Sequence, residues 1–146
     1  MRASAFLAPL LLLAVGLALA ACSSGDEPAQ SISASLLVEQ RGEARWFRDV
    51  EIPKGTDGYE FLELATDGQV ESEWYPQYRS HFVNAILGTP GESPYFWLTF
   101  VWNENLAAWE PLPIGADLFS VKEGHVLAWA LLDTSAETPQ TPVTLP

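Results

Sequence analysis

"TDGYEFLELATDG", residues 56–68, is the stretch on which the fold turns, because it is the one segment that reads as a helix. Thr56 or Asp57 can cap the free amides of a first turn, and Glu60 follows Asp57 at capping-box spacing. Phe61, Leu64 and Ala65 form an apolar stripe at i, i+3 and i+4, with Leu62 beside it, and Gly68 suits a left-handed stop. The spacing predicts a helix over 57–67. So short a helix must draw its stability from docking on something larger.

Strand-like sequence surrounds it. Upstream, "SLLVEQRGEARWFRDVEI" reads as two strands around a turn at Arg41-Gly42-Glu43, with Trp46, Arg48, Val50 and Ile52 on one parity. Downstream, "QVESEWYPQYR" reads as a loop or irregular edge. Then come "HFVNAILG", "YFWLTFVW" and "HVLAWALL", rich in β-branched and aromatic residues, with short strand candidates near Ala108 and Leu118–Val121. Strand, strand, helix, strands is an α+β pattern in which one helix covers one face of a mixed sheet.

Alternation then assigns faces. In "YFWLTFVW" the residues Phe96, Leu98, Phe100 and Trp102 form an apolar face suited to the core, so Tyr95, Trp97, Thr99 and Val101 point the other way. In "HVLAWALL" the small residues of Val126, Ala128 and Ala130 are expected under the helix, leaving Leu127, Trp129 and Leu131 opposite. On this reading Trp97 and Trp129 share an uncovered face, and an exposed aromatic patch marks an interaction site. Cover by the N-terminal hairpin or the Pro111–Pro113 loop is the competing reading.

The ends are of another character. "MRASAFLAPLLLLAVGLALAAC" starts on Arg2, runs apolar from Phe6 to Ala21, and stops at small residues, as a cleaved export signal does. Leu19-Ala20-Ala21-Cys22 resembles the lipobox of bacterial lipoproteins, which implies a signal peptide over 1–21 and lipidation of Cys22. Cys22 is the single cysteine, so an intramolecular disulfide is excluded. "SSGDEPAQS" reads as a flexible tether over 22–31, and "TSAETPQTPVTLP" as a disordered tail over 134–146. Between them lies one domain, 32–133, holding all 6 tryptophans. The formal net charge is −12, with few and scattered Lys and Arg, which argues against nucleic acid and against a basic membrane-binding face.

Three segments carry a family resemblance. Ser80–Gly88 resembles the "G-x-Y-V-x-S-I-x-G" segment of the DUF4430 family, itself similar to the C-terminal domain of transcobalamin and intrinsic factor. "YFWLTFVWNEN" resembles that family's aromatic strand ending in an Asn turn. "GADLFSVKEGHVLAWAL" resembles its closing pattern, with Gly115, Ala116, Asp117, Gly124 and Trp129 in place. Ser80 stands where glycine is usual, Phe82 where tyrosine is, and His125 where aspartate is. The resemblance spans about residues 33 to 133 and implies a β-grasp-like α+β domain. In the cobalamin carriers such a domain supplies one wall of the corrinoid site, so cobalamin is the implied ligand, with no cofactor required.

Catalytic chemistry is thinly provided. Only His81 and His125 are of the residue type that can serve as a general base near neutral pH, and no G-x-S-x-G, P-loop or H-E-x-x-H motif occurs. A triad of Ser80, His125 and Asp117 can be drawn on paper, and the acidic pair Glu71 and Glu73 reads as solvated surface. The expected function is therefore non-catalytic binding, extracytoplasmic and lipid-anchored to a bacterial membrane. The expected ligand-binding residues are Trp97, Trp129, Tyr95, Tyr78, Asn84 and Trp109. Asn84 is read either as a ligand contact or as a side chain bonding a nearby loop backbone. Trp74 and Tyr75 extend the loop aromatics. The alternative is a structural or adhesive module contacting a protein or a cell-wall glycan, and a transporter or surface protein is the partner implied by hand-off.

Overall fold

The structure is a computed structural model and describes residues 30–146. The expected signal peptide, Cys22 and nearly all of the expected tether lie outside the described residues. Strand β1 (Ser31–Gln40) turns at Arg41-Gly42 into β2 (Glu43–Pro53), and helix α1 (Gly58–Ala65) follows. Next come β3 (Val70–Tyr75), β4 (Ser80–Ile86) and β5 (Thr89–Pro90). The chain continues through β6 (Tyr95–Asn103), β7 (Ala108–Pro111), a 3-10 turn (Ala116–Leu118) and β8 (Val126–Asp133).

Five strands form a mixed sheet in the order β2-β1-β8-β6-β7, in which β1 and β8 run parallel and the other neighbours antiparallel. The remaining three form a separate sheet, β3-β4-β5. The architecture is the β-grasp-like α+β fold expected. "HFVNAILG", however, belongs to the small sheet, and "VESEWY" is its strand partner instead of a loop.

The helix begins one residue later and ends two earlier than predicted. Asp57 caps it, accepting the Glu60 N–H at 2.8 Å, and Gly68 closes it at φ +72°. Its buried arc runs through Gly58, Phe61, Leu62 and Ala65. Leu64 lies off the edge of that arc and is 46% exposed, which corrects its place in the apolar stripe.

The face assignments of the large sheet are reversed. Leu127, Trp129, Leu131, Trp97 and Val101 pack on the helix side, with Leu36, Val38 and Phe61. Phe100, Ala128, Ala130, Leu37 and Trp109 form a second cluster on the opposite face. Alternation had grouped the residues of β6 and β8 correctly, but it carries no mark of which group meets the helix. On β2 even the grouping fails. Ala34 pairs Val50 whereas Leu36 pairs Phe47, so β2 holds an extra residue there, with Asp49 at φ +51°. A bulge of this kind switches parity. Phe47, Val50 and Ile52 face the helix side, and Trp46 the other.

The tail is not free. Residues 134–146 form no strand or helix, yet the Glu39 carboxylate accepts the N–H groups of Val143 (2.9 Å) and Thr144 (2.8 Å). The Trp109 indole N–H donates to the Thr144 carbonyl at 2.8 Å, and Pro142 is buried. The disordered tail expected from its prolines is thereby corrected. Proline supplies no N–H, but Val143 and Thr144 do, and Glu39 on the second face accepts both while Trp109 donates to the Thr144 carbonyl.

Candidate functional site

β7 pairs with β6 only over Phe100–Asn103, so the outer edge of Tyr95–Leu98 has no partner strand among the described residues. The small sheet and the segment leading into the 3-10 turn stand beside this bare edge. Between them opens a cleft of about 530 Å³, lined by His81, Phe82, Trp97, Leu112, Gly115 and Trp129 among others. Pro139 and Gln140 of the tail complete its rim. A smaller cleft of about 290 Å³ adjoins it, where Tyr75 and Tyr78 meet Ser80, His81, Phe82 and Gly115. His81 and Phe82 belong to both.

The wall between the two clefts is built around Asp117. Its Oδ2 accepts the backbone N–H of His81 at 2.8 Å and the Ser80 hydroxyl at 2.9 Å, while its Oδ1 meets His81 Nδ1 at 2.5 Å. Burial pushes the Asp117 carboxyl upward, but the bonds from the His81 backbone, the His81 ring and Ser80 outweigh it and hold the group below the ordinary carboxylate range. The His81 ring stacks on Tyr59, centroids 3.9 Å apart and planes within 12°, and Trp74 stands tilted 5.0 Å away. The Tyr59 hydroxyl is itself bonded to Glu63 (2.9 Å) and Ser72 (2.7 Å). Gly115 is required here: a Cβ would come within 2.5 Å of Ser80 Oγ.

The six expected ligand-binding residues fall in different places. Trp97 and Trp129 do meet at one cleft, but as its floor, only 5% and 4% exposed. The shared uncovered face expected for them is corrected, since both lie under the helix side of the sheet. The Trp97 indole donates to the Thr89 carbonyl at 3.1 Å, tying the large sheet to the small one, and the Trp129 indole N–H is buried without a partner among the described residues. Tyr78, 70% exposed, stands at the mouth of the smaller cleft. Tyr95 lies elsewhere, beneath the Arg41 guanidinium at 6.0 Å, and Trp109 lies under the tail on the far face. Asn84 is exposed and is the extra residue of a bulge in β4, between the pairs Glu71–Ala85 and Ser72–Val83. Its backbone carbonyl accepts the Gly91 N–H at 2.7 Å, so the part of Asn84 that bonds a nearby loop is the main chain.

Sequence reasoning missed the His81–Asp117 pair and gave His125 its place. His125 instead packs on Phe119 at 5.5 Å, and its Nδ1 accepts the Lys122 N–H at 3.2 Å. Ser80 bonds the aspartate and not the imidazole, so the group has no activated hydroxyl. The signals for the true pair were there, an Asp in the "GAD" segment and a His at a strand start, but 36 residues apart.

No family model matches the chain, and no curated protein sequence does. Solved structures do resemble it. Haptocorrin in complex with Cbi superposes with a TM-score of 0.60 at 18% identity, over 72% of this chain and 26% of haptocorrin. A "putative metal binding protein" from Ruminococcus gnavus ATCC 29149 superposes with a TM-score of 0.55 at 15% identity, over 70% of this chain and 97% of its own. At such identities the likeness is one of fold. The chain spans about a quarter of haptocorrin's length, 26% of it.

Proposed function

We propose that this is a non-catalytic binding module of the DUF4430 kind, holding a corrinoid or another bulky, flat ligand at the cleft beside β6. The single observation that carries the reading is the cleft itself, open, mainly apolar and aromatic, with one fixed polar group on its wall. Likeness to a domain of haptocorrin, which was solved with cobinamide, makes a corrinoid the ligand to try first. Phe82, 45% exposed, and Tyr78 are the aromatic surfaces such a ligand would meet, over a floor of Trp97 and Trp129.

In this reading the module lies outside the cytoplasm, held to a bacterial membrane by acylated Cys22. Net charge of −12 keeps the domain off anionic lipid and leaves attachment to the lipid chain. The test is a titration of the full chain, purified in detergent, with cobinamide and cobalamin while tryptophan emission is followed. Saturable quenching that Phe82→Ala weakens about tenfold or more supports the reading. Absence of quenching with both corrinoids overturns it in favour of an adhesive module, for which the exposed Trp74, Tyr78 and Phe82 of the small sheet and its turn are the contact surface.

A further inference from the structure

We propose that the second face of the large sheet is an acceptor groove for an extended peptide segment, filled in cis by residues 142–144 and able to take the same segment from a second copy in trans. This contact is independent of the ligand held at the cleft.

Small side chains make the floor of the groove. In register across the sheet, Ala128 lies between Leu37 and Phe100, and Ala130 between Glu39 and Leu98. Side chains as short as alanine leave room above the strand for another main chain. The groove is polar where a main chain needs it. Glu39 is only 6% exposed, and its carboxylate makes no hydrogen bond among the described residues except to the segment. Its Oε1 accepts the Val143 N–H at 2.9 Å and its Oε2 the Thr144 N–H at 2.8 Å. Trp109, tilted against Trp102 with centroids 5.3 Å apart, donates its indole N–H to the Thr144 carbonyl at 2.8 Å. All three bonds go to the main chain of the segment, and Pro142 is buried beside them. The groove therefore recognises an extended backbone that follows a proline.

Little else fixes the segment to its own copy. Residues 136–142 make a single hydrogen bond among the described residues, from the Asp133 N–H to the Gln140 side chain at 3.2 Å. Val143 and Leu145 turn outward, 79% and 62% exposed. Emptying the groove leaves a buried carboxylate unpaired, which is costly and favours refilling. Every copy carries both groove and segment, so exchange between copies reproduces the same bonds, a low-cost route to a swapped dimer. A short connection gives the cis arrangement an effective concentration on the order of millimolar, so a second copy competes best where the groove's own segment is missing or weakened.

The experiment removes the cis arrangement. A synthetic peptide of residues 137–146, labelled at its N-terminus, is titrated in detergent with the chain lacking those residues, and fluorescence anisotropy is followed. Saturable binding is expected, weakened about tenfold or more by Glu39→Gln in the acceptor and about threefold or more by Trp109→Phe, which removes the N–H donor. Full-length chain carrying Glu39→Ala, whose own segment is released, should displace the labelled peptide. Adding Thr144→Pro to that competitor, which removes one N–H, should make it about tenfold less effective. Should the truncated acceptor fail to fold, full-length Val143→Pro, whose own segment lacks one N–H, takes its place. No saturable binding to the folded acceptor, or binding that Glu39→Gln and Trp109→Phe leave unchanged, overturns the groove and leaves the segment a brace within one copy. Peptide binding that the Glu39→Ala chain does not displace overturns the second copy as donor.

Discussion

Trp97 and Trp129 meet two demands at once, as the floor of the cleft and as part of the core beneath the sheet. A side chain about 5% exposed that also ties the two sheets together through Thr89 is first of all structural. Trp97→Ala should therefore cost about 3–5 kcal/mol of stability, the range for truncating a buried large aromatic. Chemical denaturation measures it, and a loss below about 1 kcal/mol would mean that Trp97 is not held as described. His125 carries a separate prediction. Burial, with Lys122 adding to it, pushes its imidazole below the ordinary range, and its Nδ1 accepts a backbone N–H, which only the neutral ring can do. With the folded value depressed, the unfolded chain takes up the proton first as pH falls. The stability from neutral His125 is thus complete above the unfolded value of about 6.5 and declines as pH drops below it. His125→Ala should flatten the difference in unfolding free energy between pH 7.5 and pH 5 relative to wild type. Identical pH dependence in the two proteins would sink this account.

At the scale of elements, the helix offers an internal control. Leu62 is fully buried and Leu64 is 46% exposed, two residues apart on one short helix. Leu62→Ala should cost about 2–5 kcal/mol, and Leu64→Ala no more than about 0.5 kcal/mol. Equal costs by denaturant titration would contradict the docking of α1. The helix itself was legible from residues 56–68 because its cap, its apolar residues and its terminating glycine are all local. Strands β4, β6 and β8 were legible for the same reason. β3 was not, since "VESEWY" lies in a small sheet with much of its surface open and lacks the apolar run of a core strand. The parity of β2 was beyond reading, because a bulge at Asp49 leaves no composition signal strong enough to locate it. The site was legible only in part. Trp97 and Trp129 share a cleft as expected, but His81 and Asp117 meet through the docking of the 3-10 turn on β4, which neither segment encodes alone.

For the molecule as a whole, what matters is that the large sheet is covered on both faces. The helix and small sheet cover one. The other carries a second apolar cluster, centred on Leu37, Phe100 and Trp109, and the last residues of the chain are held to it by Glu39 and Trp109. Two N–H bonds to one carboxylate are charge-assisted, and each can contribute about 1.5–3 kcal/mol against the entropy of ordering the segment they hold. Ala128 and Ala130 then have a physical reason. They are the small residues of β8, and they sit on the tail's face of the sheet instead of the helix's. Deleting residues 137–146 removes both bonds to Glu39, the Trp109 bond and the Pro139 and Gln140 rim of the cleft. The deletion should lower the melting temperature by about 5 °C or more, the shift that roughly 1 kcal/mol produces in a domain of this size. Glu39→Ala, which keeps the chain length but releases Val143 and Thr144, should reproduce much of that drop. Calorimetry on the three proteins decides it. A deletion that melts with wild type would mean that the tail rests on the domain without stabilising it. If only the deletion lowers the melting temperature, the cover depends on apolar contact and the Trp109 bond, and the grip of Glu39 contributes little.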